Sequence, residues 1–580
     1  MVNRRDCETP LVSTGDSVLN IEQLLAEIDN SPSGPEVAAI FDFDGTIITG
    51  YSAIVFLQDS LVSGELSTEE LLGLTRAMTS FGLGKLGFSA LMAVHGQYLA
   101  GKSEHDYIKH SETLFRKKIA RLIYPEVRRL ISAHRAKGHT LSIISSATPY
   151  QVRPAAQDLD IEHTYCTELE VKRGVFTGAV VKPTVFGEGK VTAAKQLAKK
   201  TGAKLQHSFF YSDSTDDSQL LDYVGRPTAL NPSKRLKTMS AERLWPSATF
   251  NSRGKTSFNT FVRSLAATGS LVGSFAAGLP IYALTGSKRD SLNFSTSLFA
   301  DTCNALIGLE LDIHGEEHLW SSRPAVFMFN HQSKADVAIM ASLIRKDVVG
   351  VGKKEIEKMP LIGQVMGLAG IVFIDRSDRS KAIDSMKPLV AAMREQGKSM
   401  VIAPEGTRTP TPKLAPFKKG GFHIAMQVGV PVIPVVIHNS GDIAPKGDFL
   451  FRPGKVRVDI LPPVDTADWT LATMNEQVNT VRNQFLRALD QPEQTLAAMQ
   501  RAKRNQPADM RPELQGSTSK KLTAKKAAAK KAPSKQTGAK NPASKKAAAK
   551  NPVKATIKSP AKKTNSMRRA LVKPTLTAKK

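Results

Sequence analysis

Asp42 and Asp44, in Phe41-Asp-Phe-Asp-Gly-Thr46, stand two positions apart. At the end of a buried strand that spacing points both carboxylates the same way. One can attack phosphorus while the other trades a proton with the leaving oxygen. Bringing two anions together needs positive charge. Lys190 supplies one charge, and Mg²⁺ held by Asp42 and Asp213 would supply more. Ser145, after Leu141-Ser-Ile-Ile144, can donate a hydrogen bond to phosphoryl oxygens.

A second constellation lies far downstream in Phe327-Met-Phe-Asn-His-Gln-Ser-Lys-Ala-Asp336. On a regular helix His331 and Asp336 would sit about 140° apart. They can meet only if His331 occupies a strand-to-helix turn and Asp336 reaches back to it. A carboxylate so placed orients an imidazole and steadies its cationic form. Ser333 is the nearest hydroxyl, but it lacks the Gly-x-Ser-x-Gly setting of a nucleophile. The base would therefore activate a substrate's own hydroxyl. Arg376 and Arg408 read as anion grips, since a guanidinium binds phosphate in bidentate fashion. Gly406 allows close backbone approach beside Glu405 and Thr407. The acceptor would be an alcohol bearing a phosphate.

Both constellations need a scaffold that brings distant residues to one edge. Val37–Phe41, Leu141–Ile144 and Ser208–Tyr211 are short apolar runs that stop at Asp42, Ser145 and Asp213. Reactive groups after successive buried strands fit an open parallel sheet with a crevice at its carboxyl edge. About 100 residues separate the first two runs. Those of helical character, 51–125, are too many for a plain crossover and read as a helical cap. A second α/β pattern starts near Leu292, with apolar runs at 325–329, 371–374, 400–403, 432–437 and 456–461. Here His331, Arg376 and Glu405 follow the runs. Ile21–Ile28 has helical spacing, and 232–262 is polar like a linker.

The formal net charge of +27 is concentrated in a tail. Residues 516–580 hold 18 Lys, 2 Arg and no Asp or Glu. Composition there is Lys, Ala, Pro, Ser and Thr, too poor in apolar surface to offset ordering entropy, so disorder is expected. Without aromatic residues, any nucleic-acid binding by the tail would be phosphate-driven and salt-sensitive. The same charges would be drawn to an anionic membrane surface. Residues 264–287 are uncharged and long enough to span a bilayer, though Gly269, Gly273, Gly278 and Pro280 interrupt them. They read as a membrane-contacting segment or a buried helical hairpin. Three scattered cysteines and an N-terminus without an apolar signal core point to a reducing, cytoplasm-facing location.

The upstream residues resemble the haloacid dehalogenase (HAD) superfamily on its phosphoserine phosphatase-like branch. Phe41–Thr46, Ile143-Ile-Ser-Ser-Ala147, Lys190 in Gly187-Glu-Gly-Lys190, and Asp213-Ser-Thr-Asp-Asp217 match its four motifs in order. The resemblance implies a Rossmann-like domain in which Asp42 is the nucleophile and Asp44 the acid/base. Ser145 and Lys190 would hold the phosphoryl group, with Asp42, Asp44, Asp213 and Asp217 around Mg²⁺. Phosphoserine phosphatases carry a Glu nine positions after the nucleophile to grip the substrate amino group; Tyr51 stands there. Another phosphomonoester, including a lipid-derived one, is the expected substrate.

The downstream residues resemble the glycerolipid acyltransferases of the 1-acylglycerol-3-phosphate type. Asn330–Asp336, Gly370–Arg376, Pro404–Arg408 and Val430-Pro-Val-Ile-Pro434 match four ordered motifs. The resemblance implies attack of a lysophosphatidate hydroxyl on an acyl thioester, from acyl-CoA or acyl-carrier protein, to give phosphatidate. His331 would be the base, Asp336 its partner, and Arg376, Glu405, Gly406, Thr407 and Arg408 the glycerol-phosphate site. The expected division is an N-terminal segment 1–34, an α/β phosphatase 35–235, a linker 236–290, an α/β acyltransferase 291–495 and a basic tail 496–580. Such a chain would work at the cytoplasmic face of the cell membrane. The competing reading is a basic membrane- or nucleic-acid-binding protein whose phosphatase half is degenerate or acts on a lipid phosphate.

Overall fold

The apolar runs before Asp42 and His331 become the middle strands of two seven-stranded sheets in the computed structural model. The structure describes residues 18–62, 96–253, 257–374 and 386–498, with 69, 72–73, 75–76, 79–80 and 94 besides. Arg376, most of the expected cap between 63 and 95, and the tail from 499 lie outside the described residues.

The first lobe takes its elements in this order: β1 (Val18–Leu19), α1 (Ile21–Asp29), β2 (Ala38–Phe41), α2 (Ser52–Val62), α3 (Glu104–Leu114), α4 (Pro125–Ala136), β3 (Thr140–Ile144), α5 (Pro149–Asp158), β4 (His163–Tyr165), β5 (Leu169–Lys172), β6 (Val175–Val180), α6 (Glu188–Thr201), β7 (Phe209–Ser212), β8 (Arg226–Leu230), α7 (Lys234–Glu242) and β9 (Ser247–Ala248). The sheet order is β1-β9-β8-β7-β2-β3-β4, and every pairing is parallel. β5 and β6 form a separate antiparallel hairpin. Ala39 and Phe41 pack on one face, while Ala38 and Ile40 pack on the other. Burial on both faces is why β2 reads as an unbroken apolar run.

This sheet reaches past the expected 35–235 limits. β9, within the stretch read as a polar linker, pairs with β8 on one side and β1 on the other. Asn20 caps α1 through a reciprocal pair with Gln23, and Leu24 and Ile28 turn into the core. Two-residue strands carry no measurable periodicity, so pattern alone misses them.

The second lobe contains α8 (Phe258–Ala277), α9 (Leu279–Thr285), α10 (Lys288–Ile307), β10 (Leu309–His314), β11 (Val326–Phe329), α11 (Asp336–Ile344), β12 (Val348–Lys353), β13 (Ile371–Ile374), β14 (Ser399–Ile402), α12 (Gly420–Val428), β15 (Val432–Ile437), β16 (Gly454–Ile460) and α13 (Met474–Ala488). The order is β10-β16-β15-β11-β14-β12-β13, parallel except for the antiparallel β15–β16 pair. β11 lies between β15 and β14, with Phe327 and Phe329 on one face and Val326 and Met328 on the other.

The uncharged stretch folds as two helices that lean on a third. Ser257 caps α8, accepting from Thr260 N at 3.1 Å. At the α8–α9 junction a Cβ on Gly278 would meet Ser295 Oγ of α10 at 2.0 Å, so glycine permits that close approach. The other side of the pair stays bare: Phe258, Leu265, Leu279 and Leu284 are exposed. Phe258–Thr285 is long and apolar enough to cross a membrane, by length and composition.

Candidate active sites

β2, β3 and β7 deliver the upstream site. Asp42 follows β2, Ser145 follows β3, and Asp213 follows β7. Their parallel register sets these ends side by side. Lys190, buried in the first turn of α6, donates to Asp42 Oδ1 at 2.8 Å and to Asp217 Oδ2 at 2.7 Å. Asp44 turns to the start of α2, accepting from Ser52 N at 2.6 Å and Ser52 Oγ at 3.1 Å. Gly45 has φ +77°, and a Cβ there would strike Asp213 Oδ2 at 2.1 Å. Only glycine admits both the backbone angle and the approach of Asp213. Ser145 is buried, and its Oγ accepts from Ala147 N at 3.3 Å.

The pocket is crowded with negative charge. Burial pushes the Asp44 carboxyl up to about 7 against the Ser52 hydrogen bonds, with Asp42 adding to the rise. Burial, then Asp42 and Asp217, push Asp213 well above the usual carboxylate range. Asp217 rises to about 6 through burial, while Lys190 pulls the other way. For Lys190 itself burial disfavours the cation, but Asp217 and Asp42 outweigh it and raise its pKa.

Of the four aspartates expected around a metal, Asp44 is committed elsewhere, and Asp42 and Asp217 each give one oxygen to Lys190. Both Asp44 oxygens are taken by Ser52, and Asp217 Oδ2 is taken by Lys190 and by Ser212 Oγ at 2.6 Å. Among the described residues no group of three or more His, Cys, Asp or Glu is arranged to hold a metal ion. Among the described residues Asp213 and Asp42 Oδ2 are left as a pair, with Asp217 Oδ1 besides. An all-oxygen pair in an anion-rich pocket fits Mg²⁺, which keeps several waters and takes one or two carboxylates.

Tyr51 stands at the rim, 41% exposed. Partial burial and then Asp213, Asp44 and Asp42 raise its phenol pKa, which puts the phenol within electrostatic reach of the acidic cluster.

The downstream site is built on backbone amides. β11 ends at Phe329 and α11 begins at Asp336. In the turn between them Asp336 Oδ2 meets His331 Nδ1 at 2.8 Å and accepts from Gln332 N and Ser333 N, each at 2.9 Å. The reach-back expected from the spacing is therefore present. The start of α11 also favours a carboxylate at Asp336. Asp336 is fully buried, whereas the His331 ring is 21% exposed, with the Phe329 ring edge-on at 5.4 Å. With its Nδ1 proton on Asp336, His331 keeps the Nε2 lone pair for a substrate.

The loop after β14 clamps this turn from outside. Glu405 Oε1 accepts from His331 N at 2.7 Å, and Glu405 Oε2 accepts from Ala415 N at 2.9 Å. Thr409 N returns a bond to His331 O at 2.8 Å. Glu405, expected to grip glycerol phosphate, spends both oxygens on backbone N–H groups and acts as a bracket. Burial lifts its carboxyl to about 8, against the pull of those two donors and of Arg482. Gly406, at φ +74°, lies against the Lys418 side chain. Thr407 and Arg408 remain half-buried and reachable. Asn330 ties the turn to β15 through a 2.7 Å pair with Ile437 N and O.

Three residues here had no sequence signal of their own. Lys334 rests 4.0 Å from the Phe451 ring centroid and donates to Phe449 O. Burial lowers its pKa to about 8, Asp448 opposes that, and Arg408 adds to it, so Lys334 and Arg408 are electrostatic neighbours. Buried Arg482 of α13 holds Leu414 O at 2.9 Å and braces the Glu405 loop. Ser52 was hidden eight positions from Asp44. Each acts through a tertiary contact rather than through spacing.

The acyltransferase family model matches residues 310–438, and that of haloacid dehalogenase-like hydrolases matches 39–222. The 1-acyl-sn-glycerol-3-phosphate acyltransferase of Limnanthes alba is 36% identical over 198 residues, 34% of this chain and 70% of that protein. Its Saccharomyces cerevisiae counterpart is 31% identical over 208 residues, covering 36% and 68%. The solved 1-acyl-sn-glycerophosphate (LPA) acyltransferase of Thermotoga maritima matches with TM-score 0.36 and 25% identity, over 40% of this chain and 93% of that one. Spanning more than two thirds of the plant and yeast proteins at over 30% identity, the chain belongs to the 1-acyl-sn-glycerol-3-phosphate acyltransferase family and carries a haloacid dehalogenase-like hydrolase domain ahead of that part.

Proposed function

We propose that the second lobe acylates lysophosphatidate to phosphatidate. His331 Nε2 takes the proton of the acceptor hydroxyl, and the oxygen attacks the thioester carbonyl. The new C–O bond forms, the C–S bond breaks, and the thiolate leaves with the proton from His331. Asp336 keeps the imidazole oriented and stabilises its cation. Arg408, with Lys334 and Thr407 beside it and Arg376 as a further grip, binds the acceptor's phosphate. The donor is acyl-CoA or acyl-carrier protein. The observation that carries this reading is the Asp336 oxygen shared by His331 Nδ1 and two backbone N–H groups. His331→Ala, assayed with labelled lysophosphatidate and acyl-CoA, tests it; a full rate would overturn it.

The first lobe is a phosphomonoesterase in the same reading. Asp42 attacks phosphorus as the ester P–O bond breaks, Asp44 gives its proton to the leaving oxygen, and Lys190 and Ser145 hold the phosphoryl oxygens; water, giving its proton to Asp44, then cleaves the aspartyl-phosphate, freeing Asp42 and releasing phosphate. A protonated Asp44 near neutrality suits that acid role. Mg²⁺, held by Asp42 and Asp213, would supply positive charge for the approach of two anions. Tyr51 supports an uncharged contact where an amino group would need a carboxylate. Phosphate release from a monoester panel, wild type against Asp42→Asn, tests this half.

The bare apolar side of α8 and α9 supports attachment to the cytoplasmic face of the cell membrane, with the basic tail drawn to anionic headgroups. Flotation with anionic vesicles, with and without residues 516–580, checks both contacts.

A further inference from the structure

A cavity of about 420 Å³ opens between the two lobes, apart from either catalytic centre. One wall comes from α4 and the turn before it, the other from the Thr409–Pro412 loop and the chain after β15. Five cations reach it, Arg121, Arg128, Arg129, Arg253 and Lys446, against one carboxylate, Asp442. Three of the arginines are balanced: Arg128 on Asp158 at 2.5 Å, Arg129 on Glu22 at 2.9 Å, and Arg253 on Asp442 at 3.4 Å. Arg121 makes no ion pair among the described residues, and its NH1 donates to Gly447 O at 2.9 Å. The Arg253 side chain is only 6% exposed, yet its buried Nε–H has no acceptor among the described residues. A buried donor left unsatisfied is costly, and an anion's oxygen would satisfy it.

The cavity also touches the acyl-transfer turn from behind. Gln332 and Thr409 both line it. Gln332 N donates to Asp336, and Thr409 N donates to His331 O. An occupant would thus bear on the two residues that set the imidazole.

We propose that this interlobe cavity is a binding site for a phosphate-bearing small molecule. Guanidinium groups grip phosphate in bidentate fashion. The volume falls within the ~300–1,000 Å³ of small-molecule sites. Leu25, Ile123, Pro410 and Pro445 offer apolar surface for an organic portion. Inorganic phosphate and an organic phosphate ester present the same chemistry to these cations.

Calorimetric titration of the full chain with inorganic phosphate, and separately with adenosine 3′,5′-bisphosphate, tests the site. A Lys190→Gln/Arg408→Ala background removes a phosphate-gripping cation from each of the two catalytic centres. One binding event should survive there and weaken roughly tenfold or more when Ser132→Glu or Arg121→Glu adds a negative charge to the wall. Tighter binding of the bisphosphate assigns the site to an organic ester; equal or weaker binding assigns it to free phosphate. Ser132 is an exposed residue, so Ser132→Glu carries the test if Arg121→Glu lowers the melting temperature. No event with either probe in the background variant, or an affinity unchanged by Ser132→Glu at an unchanged melting temperature, overturns the proposal.

Discussion

The two catalytic centres sit at equivalent places, each just beyond the end of a middle strand in a largely parallel sheet, yet they handle buried carboxylates in opposite ways. Upstream, Asp42, Asp44, Asp213 and Asp217 face one another, and Lys190 is the cation that binds two of them. Burial and mutual repulsion leave Asp44, Asp213 and Asp217 with raised pKa values. Downstream, Asp336 and Glu405 are each answered by backbone N–H groups, two apiece, although burial still lifts Glu405 to about 8. The first centre is charge-starved and suits a cation-assisted reaction of a phosphate. The second is rigid and pre-oriented, as proton transfer by one imidazole requires. Partial charges of the main chain do downstream what the Lys190 ammonium does upstream.

The contrast breaks most sharply at His331. His331→Ala should cut acyl transfer by about 10²–10⁴-fold, leave p-nitrophenyl phosphate hydrolysis unchanged, and keep the melting temperature. Equal loss in both assays would mean that the lobes are one cooperative site.

Gly45→Ala comes next. Its Cβ cannot coexist with Asp213, and its φ is unfavourable, so roughly 1–3 kcal/mol of strain should lower phosphatase kcat/KM about tenfold or more. Acyl transfer should not move. A neutral outcome would show that Asp213 can retreat without cost, and that the crowding upstream is dispensable.

Glu405→Ala separates bracket from binder. Removing the acceptor of two backbone N–H groups should cost about 1–3 kcal/mol of stability, seen in denaturant unfolding. It should lower kcat more than it raises KM for lysophosphatidate. A raised KM at unchanged stability would return Glu405 to the substrate.

The smallest effect is one of pH. Lys334, with its pKa lowered to about 8, is cationic below that value and neutral above it. The KM for the phosphate-bearing acceptor should rise a few-fold as pH climbs through about 8, because one phosphate-facing charge is lost. Lys334→Arg, charged throughout, should flatten the rise. A pH-independent KM in the wild type would remove Lys334 from the anion grip.

Much of this is readable in the sequence. Strand ends could be located because burial on both faces forces unbroken apolar runs before Asp42 and His331. The Asp42/Asp44 and His331/Asp336 pairs are local, so their spacing constrains their geometry. The five-residue gap even demanded the turn that the structure contains. Other features needed the fold. β1 and β9 are too short for any period, and they complete the first sheet only through pairing with each other and with β8. Lys190 chose Asp42 and Asp217 across 148 and 27 positions. The partners of Glu405 are backbone amides, which every residue but proline has and no sequence pattern marks.

Two α/β lobes, their order, and the side chains that could carry each reaction are therefore legible in the residues alone, because side-chain chemistry and burial periodicity are local properties. Tertiary structure alone decided which carboxylates are free and which are spent on Ser52, Lys190 or backbone N–H groups. It alone brought Lys334 within electrostatic reach of Arg408 and opened a basic cavity between the lobes. Those outcomes depend on contacts between residues far apart in the chain, whose distances and desolvation arise only when the sheets pack.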